Sequence, residues 1–332
     1  MHTPTLLTRL GLAVGVTALG AATVIPMAGA ASSQQATWKL QAPIAVGANP
    51  SGIVVDRQGN VWVANEGVGA FGQGTIQEIP RNAKVAATPI PISEHPDALA
   101  ISAQGNLWVP QASGMNNSVV ELPHGSVTPQ APVMVGSGPY GIAFDKFGNE
   151  WVANFWANTV SEIKAGQSTA SAPIAVGTGP SFIATDKAGN VWVTNGKSNS
   201  VSEIKAGQST ASAPIAVGGE PSGIAIDAKG HVWVANTQSG TIQEVGTKVV
   251  IKVGRNRKSS PYGLTFDRRG DLWVTLINGV QELPAGSKTM RPTVVLGANS
   301  YASALAVDSS NNIWIAVGGR NAVRELRYEG LR

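Results

Sequence analysis

The residues of this chain that are best suited to acid–base chemistry lie in one short stretch, SEHPDA, at positions 93–98. His95 stands between Glu94 and Asp97, where neighbouring carboxylates could charge and orient a catalytic base. The alternative is an ordinary loop histidine that faces water, because a lone histidine seldom forms a site. Metal binding by this stretch alone is disfavoured, since a proline-stiffened loop cannot wrap an ion by itself.

Most other acidic residues recur with a period near forty-one residues, which favours a structural role because catalysis needs asymmetry. Thirteen of the twenty Asp and Glu residues repeat in this way. They are Asp56, Asp145, Asp186, Asp227, Asp267 and Asp308 in turns, and Glu78, Glu121, Glu162, Glu203, Glu244, Glu282 and Glu325 in strands. Of the acids outside the repeat, Glu66, Glu94, Asp97 and Glu220 are predicted to share one face of the fold.

The repeat itself predicts the architecture. A turn of the type Asp-x-x-Gly-Asn precedes a Trp-containing strand seven times, and each repeat holds four short runs rich in Val and Ile. Two repeats share the identical stretch VSEIKAGQSTASAPIAVG, at 160–177 and 201–218, which indicates a duplication. Four antiparallel strands, a to d, per forty-residue unit are typical of a β-propeller blade. We expect the tryptophans at 62, 108, 151, 192, 233, 273 and 314 to be mostly buried.

The chain ends predict how the ring closes. Residues 37–47, TWKLQAPIAVG, resemble a d strand with no a, b and c strands before it, and the last repeat offers only a (304–308), b (312–317) and c (322–327). We therefore predict an all-β, seven-bladed propeller of four-stranded antiparallel blades, the last completed by the N-terminal strand. This closure leaves no unpaired terminal edge.

Residues 1–30 are interpreted as a secretory signal peptide, 31–36 as a short linker and 37–332 as one propeller domain. An uncleaved membrane anchor is the alternative for the apolar N-terminus. The chain has no Cys and a formal net charge of +4, with basic residues scattered apart from a short run at 255–258. We expect a secreted or extracytoplasmic monomer that, after cleavage of the signal, binds neither nucleic acid nor membrane.

The patterns P-x-G-I-A-x-D, G-N-x-W-V and V/I-x-E-I resemble the NHL-repeat propellers and the virginiamycin B lyase (streptogramin lyase) family. The latter resemblance implies seven blades, bound Mg²⁺ and the opening of a cyclic depsipeptide by elimination. It also implies a catalytic His at the x of P-x-G and an acid before that proline. Glu220 matches the acid, but Ser222 follows its proline, and no blade of this chain has His at x.

Irregular aromatic residues mark the face that carries the d–a and b–c loops, which we call the loop face. A binding module that holds a small molecule, glycan or protein there is our preferred hypothesis. The alternative is a Mg²⁺-dependent lyase or lactone hydrolase at the same face; apart from that Mg²⁺, no cofactor is expected. The predicted ligand-binding residues are Tyr140, Phe155, Trp156 and Tyr262, and the candidate catalytic residues are His95, Asp97 and Glu220.

Overall fold

The computed structural model describes residues 36–68, 73–92, 95–112, 117–254 and 259–331. Within these ranges seven antiparallel sheets surround a channel lined by the first strand of every blade. The predicted seven-bladed propeller and its closure are thereby confirmed. The predicted signal peptide and Glu94 lie outside the described residues. No helix in the described ranges is long and apolar enough to span a membrane.

Within each blade, strands a to d run from the channel outward. The chain begins with β1 (Ala36–Leu40) and β2 (Ile44–Ala45). Blade one has β3 (Pro50–Val55), β4 (Val61–Asn65), β5 (Gly74–Ile79) and β6 (Ile90–Ile92). Blade two has β7 (Ala100–Ile101), β8 (Leu107–Ala112), β9 (Asn117–Leu122) and β10 (Val133–Met134). Blade three has β11 (Pro139–Phe144), β12 (Glu150–Asn154), β13 (Thr159–Ile163) and β14 (Ile174–Ala175).

The remaining blades follow the same pattern. Blade four has β15 (Pro180–Thr185), β16 (Val191–Asn195), β17 (Ser200–Ile204) and β18 (Ile215–Ala216). Blade five has β19 (Pro221–Ile226), β20 (Val232–Asn236), β21 (Thr241–Glu244) and β22 (Val250–Lys252). Blade six has β23 (Leu264–Phe266), β24 (Leu272–Leu276), β25 (Gly279–Leu283) and β26 (Val294–Val295). Blade seven has β27 (Ala302–Val307), β28 (Ile313–Val317) and, after a 3-10 turn at Gly318–Arg320, β29 (Ala322–Leu331).

The repeated turn residues hold the blade together, as predicted. Asp56 accepts hydrogen bonds at Oδ1 from the Asn60 backbone N–H (2.8 Å) and at Oδ2 from Trp62 Nε1 (3.1 Å). Asn60 Oδ1 in turn accepts from the Arg81 backbone N–H in the c–d turn, at 2.9 Å. One short motif therefore fixes both turns at one end of the blade and orients the tryptophan.

Burial of the repeated tryptophans is less uniform than expected. Trp151, Trp273 and Trp314 are buried, whereas the tryptophans at 62, 108, 192 and 233 are only partly buried. Trp62 and Trp192 donate through Nε1 to the Asp of the preceding turn, as the buried Trp151 does, so this bond orients the indole without deciding its exposure. The core is instead centred one residue further along strand b, where every blade places a fully buried side chain: Val63, Val109, Val152, Val193, Val234, Val274 and Ile315.

Closure of the ring joins the two ends of the described chain. Strand β1 pairs antiparallel with β29, with Trp38 opposite Tyr328 and Leu40 opposite Leu326, and β2 pairs with the start of the same strand. β29 runs to Leu331, four residues beyond the predicted c strand, because β1 pairs with this extension as well. Trp38 packs edge-on against Trp273 of blade six, with ring centroids 4.8 Å apart.

An arginine reinforces this junction. The Arg269 guanidinium lies between the rings of Trp38 and Tyr328, 5.1 and 4.8 Å from their centroids. The same group forms ion pairs with Asp267 and Glu282, both buried. Because these carboxylates are out of water, removing Arg269 would take away the ion pair of Asp267, while Glu282 would keep its ion pair with Arg291. The N-terminal strand is thus held by backbone pairing, ring packing and a shared cation.

Glu150 breaks the repeat inside the core. It occupies the x of G-N-x-W, where the other blades have Val, Leu or Ile, and it is 2% exposed. Neither carboxyl oxygen has a hydrogen-bond partner. Burial, together with the nearby Glu121 carboxylate, raises the pKa of Glu150 to about 9. The folded protein therefore holds this side chain as a neutral acid at physiological pH.

We expect deletion of residues 36–45 to lower the melting temperature by about 5–10 °C, because it removes Trp38 from the core and exposes the β29 edge. Thermal unfolding followed by circular dichroism measures this. Deletion of residues 31–35 alone is the control and should leave the transition in place. A 36–45 deletion as stable as the parent would contradict the closure.

Glu150→Gln should stabilise the protein at neutral and alkaline pH. The folded-state pKa lies above that of the unfolded chain, so stability present at low pH is lost as pH rises toward about 9. Urea unfolding at several pH values between about 5 and 9 should show a fall for the parent that the variant lacks. Glu203→Gln, in a partly exposed repeat position, is the control. If the free energy of unfolding changed with pH in the same way for the parent and for Glu150→Gln, ionisation of Glu150 would be excluded as the cause.

Candidate ligand-binding site on the loop face

Residues at the x position of P-x-G, and Ser303 after Ala302 as their equivalent in blade seven, surround the loop-face end of the channel, which we call the channel mouth. They are Ser51, Asp97, Tyr140, Ser181, Ser222, Tyr262 and Ser303. Serines at this position connect neighbouring blades: Ser51 Oγ donates to the Pro96 carbonyl (2.7 Å), and Ser303 Oγ to the Pro50 carbonyl (2.8 Å). The serines are structural, which leaves one acid and two phenols with other roles.

The two tyrosines meet over the channel. Tyr140 and Tyr262 belong to blades three and six, and their hydroxyl oxygens are 2.5 Å apart. Phe182 packs edge-on against both, with centroid distances of 5.6 and 5.2 Å. Burial and the nearby Asp97 carboxylate raise the pKa of Tyr262 to about 12. The pair therefore remains neutral, with one hydroxyl donating to the other.

Phe182 is a site residue that the sequence analysis missed. It stands at the G of P-x-G, where six blades have Gly or Ala. A Cβ at Gly141 or Gly223 would lie 2.3 or 2.2 Å from a backbone oxygen of the next blade, so those positions exclude a side chain. In blade four the ring instead extends against Tyr140 and Tyr262. The sequence signal that could have identified Phe182 was its departure from the Gly or Ala of the other blades.

Two carboxylates and a histidine cluster at the channel mouth. Burial and, to a smaller extent, the neighbouring Glu66 carboxylate raise the pKa of Asp97 to about 7, against the opposing effect of His95. Burial also raises the pKa of Glu66, against the opposing effect of His95. Asp97 lines the channel cavity, which has a volume of about 160 Å³. The structure thus brings His95 and Asp97 together and adds Glu66 to them.

Beside the channel mouth lies a larger open groove over blade four, with a volume of about 670 Å³. Its walls come from the b–c loops and a strands of blades three to six. Aromatic rings line it together with one cation, one anion and several hydroxyl and amide groups. The lining side chains include Tyr140, Phe155, Phe182, Lys197, Glu220, Ser222, Thr237, Gln238 and Tyr262.

Trp156 extends the aromatic wall to the surface. It is 65% exposed and packs edge-on against Phe155, with centroids 4.8 Å apart. Lys197 Nζ lies 4.6 Å from the Phe155 ring centroid and 4.3 Å from that of Trp156. Exposed indole area of this size is typical of a contact surface. Lys197 was not among the predicted site residues, because an isolated lysine in a short loop gives no sequence signal.

Glu220 stands exposed at the rim of the groove in an unfavourable backbone conformation. Its φ is 51°, in the left-handed region, where the equivalent residues of blades three and four are Gly138 and Gly179. Its backbone N–H donates to Asn199 Oδ1 at 2.9 Å, which holds the turn in place. The groove therefore contains Glu220, Tyr140, Phe155 and Tyr262 of the predicted site, whereas Asp97 lines the neighbouring channel.

The Asn residues that end the b strands play no part in the loop face. Asn65, Asn154, Asn195 and Asn236 are almost fully buried. A Cβ on Gly136 or Gly177 would lie 2.6 Å from the amide of such an Asn, so glycine and amide fit together inside the blade. The sequence analysis lacked this contact, which joins strand b to the end of strand d.

The described side chains do not fit a magnesium centre. Among them, no three His, Asp or Glu residues gather closely enough to hold a metal ion. The Mg²⁺ implied by the resemblance finds no support in this arrangement.

The seven sheets, the closed ring and the groove define a seven-bladed β-propeller with a ligand-sized depression on its loop face. The profile of the virginiamycin B lyase family matches residues 38–326, so the chain belongs to that family. None of the curated protein sequences matches this chain.

Three solved structures, two of them lyases, share the fold. Virginiamycin B lyase from Staphylococcus aureus is 20% identical, with a TM-score of 0.75, over 88% of this chain and 99% of its own. A streptogramin B lyase is 17% identical, with a TM-score of 0.74, over 88% and 98%. The WD40 repeats of RRP9 are 12% identical, with a TM-score of 0.72, over 88% and 100%. At these identities the likeness concerns the fold alone.

Glu220→Gly should leave the protein as stable as the parent or more stable by up to about 1 kcal/mol, because glycine adopts the left-handed region without steric cost. Chemical denaturation measures the change. Glu203→Gly, in the middle of β17, is the opposite control and should destabilise by roughly 1 kcal/mol. A clear loss of stability in Glu220→Gly would show that the carboxylate itself supports the fold.

Proposed function

We propose that the protein is an exported binding module that holds a small molecule, a glycan or a protein segment in the groove over blade four. The observation that carries this proposal is the aromatic wall ending in Trp156, which remains 65% exposed beside an open groove. Large exposed rings cost solvation free energy, and they are typical of ligand and partner surfaces. Export rests on the N-terminal sequence, as argued above.

The groove offers both apolar contact and hydrogen bonding. Rings of Phe155, Phe182 and Tyr262 supply area against which a ligand ring could pack. Thr237 Oγ1 donates to the Pro261 carbonyl at 2.7 Å, so this wall is fixed before any ligand arrives. Preformed walls reduce the ordering cost of association. Specificity would come from the polar groups at the rim.

A lyase or hydrolase at the same face is the second candidate, and membership of the virginiamycin B lyase family favours it. The cluster of Asp97 and His95 could exchange protons near neutral pH, since the pKa of Asp97 is raised to about 7. Two observations oppose it. No P-x-G proline is followed by His, and the described residues contain no set of metal ligands. Binding is the better supported function.

The binding proposal predicts that Trp156→Ala with Tyr262→Ala abolishes binding of any ligand found in a thermal-shift screen, because the change removes ring area at both ends of the groove. Calorimetric titration measures the affinity, and circular dichroism checks the unliganded fold. The matched control, Glu162→Gln with Glu203→Gln, changes only repeat residues and should bind like the parent. Equal affinity of the loop-face variant and the parent would refute the groove.

The same protein should be assayed on cyclic depsipeptides and lactones with and without Mg²⁺. The binding proposal expects no turnover in either condition. Metal-dependent ring opening that is lost in Asp97→Asn or Glu220→Gln would instead establish the lyase function.

A further inference from the structure

The rings of the groove form one continuous series. Trp156 contacts Phe155, and Phe155 lies 6.4 Å from Tyr140 between centroids. Tyr140 contacts Phe182, which contacts Tyr262, at 5.6 and 5.2 Å. The series runs from the exposed rim to the channel mouth. A ligand in the groove would therefore meet π faces and ring edges along its length.

The outer end of this series already binds an ammonium group. Lys197 Nζ lies over both Phe155 and Trp156, and Lys197 forms no ion pair with the described residues. The cation–π contacts with these two rings are thus the interactions that the structure shows for the Lys197 ammonium in the groove. The inner rings, at Phe182 and Tyr262, have no such cation among the described residues. The aromatic wall thus already accommodates one ammonium group, that of Lys197.

Carboxylates give the groove and the channel mouth a negative potential. Glu220 lines the groove, is exposed and has no ion-pair partner among the described residues. The carboxylates of Asp97 and Glu66 also act on the tyrosine pair, because both raise the pKa of Tyr140 and of Tyr262. Within the groove Glu220 is therefore the one acid and Lys197 the one cation among the described lining residues, and Asp97 and Glu66, with His95 beside them, lie toward the channel mouth.

We propose that the groove binds a small ligand that joins an apolar or aromatic ring to an organic ammonium group. The ammonium would lie over the rings of Phe182 and Tyr262, between Glu220 in the groove and Asp97 at the channel mouth. The ligand's ring would pack toward Phe155. This inference rests on the proposed binding function and narrows it to a ligand class. An anionic ligand could pair with Lys197 only at the outer end and would be repelled by the carboxylates at the inner end, and a neutral one would make no use of them.

Three probes with one ring and different charges test the inference: phenethylamine, 2-phenylethanol and phenylacetate. Each is titrated into the protein at neutral pH and low salt, with affinity measured by calorimetry or ligand-observed NMR. Phenethylamine should bind roughly tenfold more tightly than 2-phenylethanol, the scale of a partly desolvated cation–π contact. Phenylacetate should bind more weakly than both.

Charge-removing variants locate the effect. Glu220→Gln and Asp97→Asn should each lower the affinity for phenethylamine several-fold and leave that for 2-phenylethanol unchanged. Phe182→Leu, which keeps an apolar side chain, should weaken phenethylamine more than the alcohol because it removes the π face. Glu203→Gln, far along the repeat on β17, is the matched control and should behave as the parent.

The outcomes separate this inference from the binding function. Equal affinity for the three probes, a preference for phenylacetate, or no binding of phenethylamine overturns the ammonium assignment. If ligands from the thermal-shift screen still lose binding in the Trp156 and Tyr262 variant, the groove remains the binding site for another ligand class. A selectivity for the amine that neither acid variant reduces also overturns the inference.

Discussion

Pairing of the first strand with the last governs the rest of this structure. A propeller blade is stable only between two neighbours, and a ring without closure would leave exposed β-edges at both ends. β1 and β29 remove those edges, and Arg269 with its aromatic and acidic neighbours strengthens the junction. The channel then has a fixed diameter, so Tyr140 and Tyr262 can meet across it from separate blades.

Functional asymmetry in this chain is produced by substitutions within a symmetric frame. Close approach of the next blade enforces glycine at positions 141 and 223 of the P-x-G motif, and Ser51 and Ser303 at the x position connect neighbouring blades. Where Phe182, Asp97 or the two tyrosines replace these residues, side chains project into the channel mouth or the groove. The repeat supplies rigid walls, and its departures supply the chemistry.

Two departures from the repeat each carry an energetic cost, one in the core and one at the surface. Glu150 places an unpartnered carboxyl in the core and destabilises the folded state when it ionises. Glu220 holds a left-handed backbone conformation that it shares with the equivalent residues Asn49, Ser260 and Tyr301, whereas blades three and four have Gly138 and Gly179 there. Its side chain is exposed beside the groove. Glu150 has no such surface, and nothing in the structure gives it a binding role.

The sequence alone determined the fold, because the spacing of turns, tryptophans and short apolar runs permits little besides four-stranded blades, and the orphan strand at 37–47 requires a partner. It also separated repeated acids such as Glu162 from unrepeated ones such as Asp97. Tertiary structure decided the site, since which loop residues meet depends on the curvature of the ring rather than on their distance along the chain. The contact of Phe182 with two tyrosines, the position of Lys197 over Trp156 and the burial of Asn195 arise between strands and blades that are remote in sequence.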